Sequence, residues 1–93
     1  MATYTLIMDF GGGTYISQVD AGTPKDAMTT AVRNLEVSEI PGLGQATKGK
    51  LLKEIIDDDP TPIRGVNNVW CLMTGMGSRL ALFNLIKTDT TKT

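Results

Sequence analysis

Histidine is absent from this chain, and cysteine occurs once, as Cys71. The first absence removes the commonest general base and the commonest transition-metal ligand together, which excludes a zinc site and any Ser/His or Cys/His pair. The second rules out an intramolecular disulfide. The apolar run Val69-Trp70-Cys71-Leu72-Met73 predicts a buried, unreactive thiol. An excess of one charge is also lacking: nine Lys and Arg face ten Asp and Glu, for a net charge of −1. No global field therefore draws the chain to nucleic acid or to an anionic membrane. Aromatic residues make up only 5%, and the group Tyr4, Phe10 and Tyr15 lacks the interleaved Lys or Arg that base stacking uses. The longest apolar tract, residues 66–86, is broken by Asn67, Asn68, Gly75, Gly77, Ser78, Arg79 and Asn84. It cannot cross a bilayer. With Met1-Ala2-Thr3-Tyr4 leading straight into a strand pattern, the expectation is a cytoplasmic protein without a targeting segment.

What remains is ordinary for a folded domain: 41% hydrophobic and 20% charged over 93 residues, enough for one core and one domain over 1–93. Tyr4, Leu6, Met8 and Phe10 alternate with Thr3, Thr5, Ile7 and Asp9, the period of a strand with one face buried. Gly11-Gly12-Gly13 supplies a turn, and Thr14 to Val19 resumes β-rich composition, so residues 3–19 read as a hairpin. Thr23-Pro24-Lys25-Asp26 is a helix start, with Thr23 as cap and Pro24 in the first helical position. The stripe Ala27, Met28, Ala31, Val32, Leu35 then predicts a helix over about 24–36 that packs on a sheet.

Pro41-Gly42-Leu43-Gly44 is a break. Leu51, Leu52, Ile55 and Ile56 mark a second helix, weakened by Gly49 and by lysines near its start and Asp57-Asp58-Asp59 at its end, which oppose the helix dipole. After the turn-rich connector 59–65, Val69 to Thr74 reads as a central strand covered on both faces. Gly75 to Ser78 reads as a turn, and 79–87 as a final strand, although Leu82, Phe83 and Ile86 would also share a helical face. Residues 88–93 read as a frayed, disordered tail. The expected fold is α+β with order ββααββ: one antiparallel sheet with helices on one face.

Two runs carry phosphate-like chemistry. In the first, Asp9, Gly11, Gly12, Gly13 and Thr14 could cradle an anion with backbone N–H groups, the Thr14 hydroxyl and a metal held through water by Asp9. Residues Asp9–Tyr15 resemble the D-L-G-G-G-T-F phosphate loop of the actin/heat-shock-chaperone ATPase superfamily, which implies a nucleotide ligand. Those proteins bind nucleotide between two lobes several times this length, and a hairpin turn accounts for the same glycines. The second run, Gly44 to Leu51, fits G-x-x-x-x-G-K but has Leu51 where a P-loop needs Ser or Thr. Lys48 and Lys50 are its candidate anion ligands. Asp57-Asp58-Asp59 does not converge as a metal site, because consecutive residues at a helix end point apart. Trp70 is either core or a half-exposed interface anchor. No acid/base couple stands out; a small enzyme built on Asp9 or Cys71 lacks a catalytic partner for either.

Residues 4–35 also resemble the opening of HicB-type antitoxin domains: strand, glycine turn, strand, then a capped helix of T-x-x-E-A-x-x-x-A type, here Thr23-Pro24-Lys25-Asp26-Ala27-Met28 with Ala31 and Leu35. Only Asp20-Ala21-Gly22 stands where that family carries a third strand. The resemblance implies a non-catalytic, partner-binding module. The leading expectation is accordingly a small interaction module without cofactor or metal that binds a protein partner or forms a homodimer through its sheet edges. The alternative is an anion- or nucleotide-binding protein.

Overall fold

The computed structural model describes residues 1–76 and 79–88. Two nine-residue strands, β1 (Ala2–Phe10) and β2 (Gly13–Ala21), form the first hairpin. Helix α1 (Pro24–Arg33) follows, then a 3-10 turn at Val37–Glu39 and helix α2 (Gln45–Asp57). A two-residue strand β3 (Thr61–Pro62), then β4 (Val69–Met76) and β5 (Arg79–Lys87), complete the chain. The sheet is antiparallel throughout, in the order β2-β1-β5-β4-β3. This is the expected α+β fold, and residues 79–87 are strand rather than helix.

The period of two in β1 decides which way the sheet faces. Tyr4, Leu6, Met8 and Phe10 are buried beneath the helices, together with Phe83 and Leu85 of β5 and Leu72 of β4. Helix α1 contributes Ala27, Met28, Ala31 and Val32 to this layer, and α2 contributes Leu51 and Ile55. The α1 start is built as its sequence implies: the Thr23 hydroxyl accepts from the Asp26 backbone N–H at 3.1 Å, with Pro24 in the first turn. The helix ends at Arg33, three residues before the expected 36, because Asn34 takes the C-cap. In α2 the expected stripe is only partly used, and Ile56 stays half exposed.

Expectations for the second half of the chain are corrected. Strand β4 is not covered on both faces: Leu72 and Thr74 are buried, whereas Met73 is 60% exposed. Both helices lie on one side, so alternate residues of β4 face outward. Cys71 shares that helix-free face, pairing in register with Asn84, and is only partly buried. The 41–44 break stands as expected, between the 3-10 turn and α2, and it turns Leu43 into the core beside Ile40. Gly75 and Met76 belong to β4, and the remainder of the expected turn, 77–78, lies outside the described residues. Thr88 is tied to the sheet, its N–H donating to the Thr3 carbonyl at 2.7 Å; the rest of the expected tail, 89–93, also lies outside the described residues. Among the described residues no helix is long and apolar enough to cross a membrane.

Candidate functional site

The glycine triplet forms the tip of the β1–β2 hairpin. Phe10 pairs with Gly13, leaving Gly11 and Gly12 as a two-residue loop with φ of 58° and 85°. Positive φ at both positions is the type I′ turn, whose twist matches that of the strands it joins. Gly13 is already in the ladder, and an added Cβ there would lie 2.6 Å from the Tyr15 hydroxyl oxygen. All three glycines thus have a backbone or packing reason to be glycine.

Asp9 and Thr14, the other members of the first anion candidate, face each other across the strands. The Thr14 hydroxyl donates to the Asp9 carboxylate at 2.6 Å. The same helix-free face carries Thr3 donating to Asp20 at 2.8 Å and Gln18 donating to Thr5 at 3.0 Å, each pair directly opposed, with Ile7 against Ile16 between them. These cross-strand pairs lock the register. Two substitutions separate the positions of the turn. Gly11→Asn should leave stability within about 0.5 kcal/mol, because Asn tolerates the left-handed region. Gly12→Val should cost about 1–3 kcal/mol, because a β-branched residue there is strained. Urea unfolding of both variants checks this; equal losses would rule out the I′ geometry.

The second anion candidate lies within a helix. Residues 45–50 form the first turns of α2, so the Gly44–Lys50 run does not wrap around a central space as a phosphate loop does. Lys48 extends to α1, donating from Nζ to the Leu35 carbonyl at 2.9 Å. It satisfies an acceptor just past the α1 terminus, where cations are favoured. Lys50 is exposed. Asp58 and Asp59 also have local partners: the Asp58 carboxylate accepts from the Asp59 N–H, and Asp59 pairs with Lys25 at 3.0 Å. Among the described residues no three acidic, Cys or His groups converge to hold a metal.

Trp70 takes a middle position between core and anchor. It is partly buried and sits against Tyr4, with ring centroids 6.0 Å apart and planes tilted by 54°. Phe10 gains a cation that its sequence neighbours lack, the Arg79 guanidinium lying 5.6 Å from its ring centroid.

The feature that motif reading passes over is the free edge of the sheet. Among the described residues, strand β2 ends the sheet on one side and pairs only with β1. The Thr88 N–H donates to the Thr3 carbonyl, which shows that the odd residues of β1 bond away from β2, toward β5. The alternation of an antiparallel ladder then makes the even residues of β1 bond to β2, where they oppose odd residues. Thr14, Ile16, Gln18 and Asp20 are left presenting backbone N–H and C=O groups to solvent. On the far side of the sheet, β3 already occupies part of the β4 edge opposite Trp70 and Cys71.

Natural edge strands are usually short, bulged, or guarded by Lys or Pro. β2 is nine residues long, in unbroken register with β1, and contains neither Lys nor Pro. Beside it runs a groove of about 380 Å³, floored by β2 and walled by the end of α1 and the 3-10 turn. Its apolar lining includes Val19, Ala31, Leu35 and Ile40, and its charged lining is Glu36 and Glu39. The sequence signal for this site was available, as a β-rich run free of Lys and Pro, but strand order was needed to make it an edge. No family model matches the chain, and no significant match was found among curated proteins or solved structures.

Proposed function

We propose that this protein is a small non-catalytic interaction module, cytoplasmic in setting, that engages a protein partner by strand addition along β2. The observation that carries the proposal is the regular nine-residue edge, free of Lys, Pro and bulge, beside an open groove. Extended chains add to such edges through main-chain hydrogen bonds, while neighbouring pockets read alternate side chains. Self-pairing of two β2 strands would be the homodimeric form of the same contact. Trp70 lies toward the opposite edge, on β4, and is not part of this surface. The resemblance of residues 4–35 to HicB-type antitoxin domains implies the same class of function, binding without catalysis.

The alternative, anion or nucleotide binding at Gly11–Gly13 or at Lys48 and Lys50, is separated by hydrogen exchange and ligand-dependent melting on the same sample. The amides of Ile16 and Gln18 should exchange fast and those of Tyr15, Ser17 and Val19 slowly, because only the latter donate into the ladder. ATP, GTP, pyrophosphate and phosphate, with and without magnesium, should leave the melting temperature unchanged. A ligand present at about 100 times its Kd adds about 2.7 kcal/mol, several degrees for a domain of this size. A shift of that size would establish the anion-binding alternative, and slow exchange at Ile16 and Gln18 in the isolated chain would show the edge to be occupied already.

A further inference from the structure

The strand-addition reading leaves the occupant open, and the charge of the groove decides it. Resting on that reading, we infer that the natural occupant is an extended segment of another protein carrying Lys or Arg, and not a second copy of this chain. Among the described residues, Glu36 and Glu39 are the charged members of the groove lining, and no cation lines it. Nearby, Lys48 is committed to the Leu35 carbonyl, and Arg33 at the end of α1 lies outside the lining. An incoming strand alternates its side chains between the helix-free face and the groove. Its groove-facing positions would meet an apolar lining that includes Leu35 and Ile40, together with the two carboxylates. Alternating aliphatic and basic residues satisfy both.

A second copy does not. Residues 13–21 contain no Lys or Arg and one acid, Asp20. Asp20 lies on the helix-free face, so the strand itself brings the groove only neutral side chains. Pairing β2 with itself would bring two grooves, each lined by Glu36 and Glu39, together about a twofold axis with no cation on either strand to offset them. Like-charge juxtaposition of this kind selects against a partner.

The test uses synthetic peptides with threonine on one face and alternating valine and lysine on the other, and a control in which glutamate replaces each lysine. Fluorescence anisotropy reads affinity, and hydrogen exchange on the intact protein reads the contact. The lysine peptide should bind and slow exchange at Ile16 and Gln18, and the glutamate peptide should bind at least about tenfold more weakly at low salt. Charge reversal by Glu36→Lys with Glu39→Lys should invert that preference. Gln18→Pro should abolish binding by both peptides while the fold persists, because this N–H points out of the ladder.

Equal affinity for the two peptides would overturn the basic occupant while leaving strand addition intact. Concentration-dependent dimerisation that slows exchange at Ile16 and Gln18 would overturn it in favour of a second copy. Binding that is unaffected by Gln18→Pro and leaves those two amides fast would overturn the edge as the site, and the interaction reading of β2 with it.

Discussion

Replacing Phe83 with alanine should destabilise the protein by about 3–5 kcal/mol, the usual range for deleting a fully buried aromatic ring. Phe83 has no exposed surface and lies in β5, between Met8 of β1 and Leu72 of β4 in register. The void would open under the helices at the middle of the sheet, where strands on both sides limit collapse. A domain of this length has about 5–14 kcal/mol of stability in all, so the variant should unfold at much lower urea, or fail to fold at the low end of that range. The neighbour Leu82 supplies the control. It faces the helix-free side and is partly exposed, so Leu82→Ala should cost less than about 1.5 kcal/mol. Fluorescence of the single tryptophan, Trp70, packed against Tyr4, reports the transition. Equal losses for Phe83→Ala and Leu82→Ala would contradict the one-sided core.

Leu51→Ala should cost about 2–5 kcal/mol, with the loss concentrated in α2. Leu51 is fully buried and shares the anchoring of α2 with Ile55, while the helix has little besides packing to hold it. Its N-cap, Gly44, makes no side-chain hydrogen bond, and Gly49 sits in its interior. Packing is therefore what stabilises the helix, and removing one of its two fully buried anchors should lower helical ellipticity as well as the unfolding midpoint. A partner substitution works in the other direction. A Cβ added at Gly49 would meet nothing within 4 Å, so Gly49→Ala should recover about 1 kcal/mol by raising helix propensity alone. If Leu51→Ala left the midpoint unchanged, α2 would not depend on this contact.

Local rules were legible wherever the deciding partners lie close in sequence. The Thr23 cap, the alternation in β1 and the glycine turn all depend on neighbours within a few residues, and each stands where its residues imply, except that Gly13 already belongs to β2. The charge pattern of α2 shows where such reasoning stops. Read along the helix, Lys48 opposes the dipole of α2; in space its ammonium serves the Leu35 carbonyl at the end of α1. Arg79 over Phe10 is a comparable case, joining the hairpin tip to the start of β5 across most of the chain. Cys71 and Met73 were expected inside because an unbroken apolar run is what a doubly covered strand shows. The same run also occurs on a strand with one bare apolar face, and composition does not separate the two.

By itself, the sequence determined the α+β class, the first hairpin and the two helices, the period of two that divides β1 into a buried and an open face, and the exclusion of histidine-based chemistry. Those properties follow from single residues and short-range spacing. Only the tertiary structure decided that β5 returns to pair with β1, which makes β1 and β5 interior strands and leaves β2 at the rim. The physical reason is that strand order is set by long-range pairing: any strand carries the same row of backbone donors and acceptors, and a neighbour must be absent before that row becomes a surface. The groove has the same origin, since Glu36 and Glu39 come to line one space only once the end of α1 is laid beside β2.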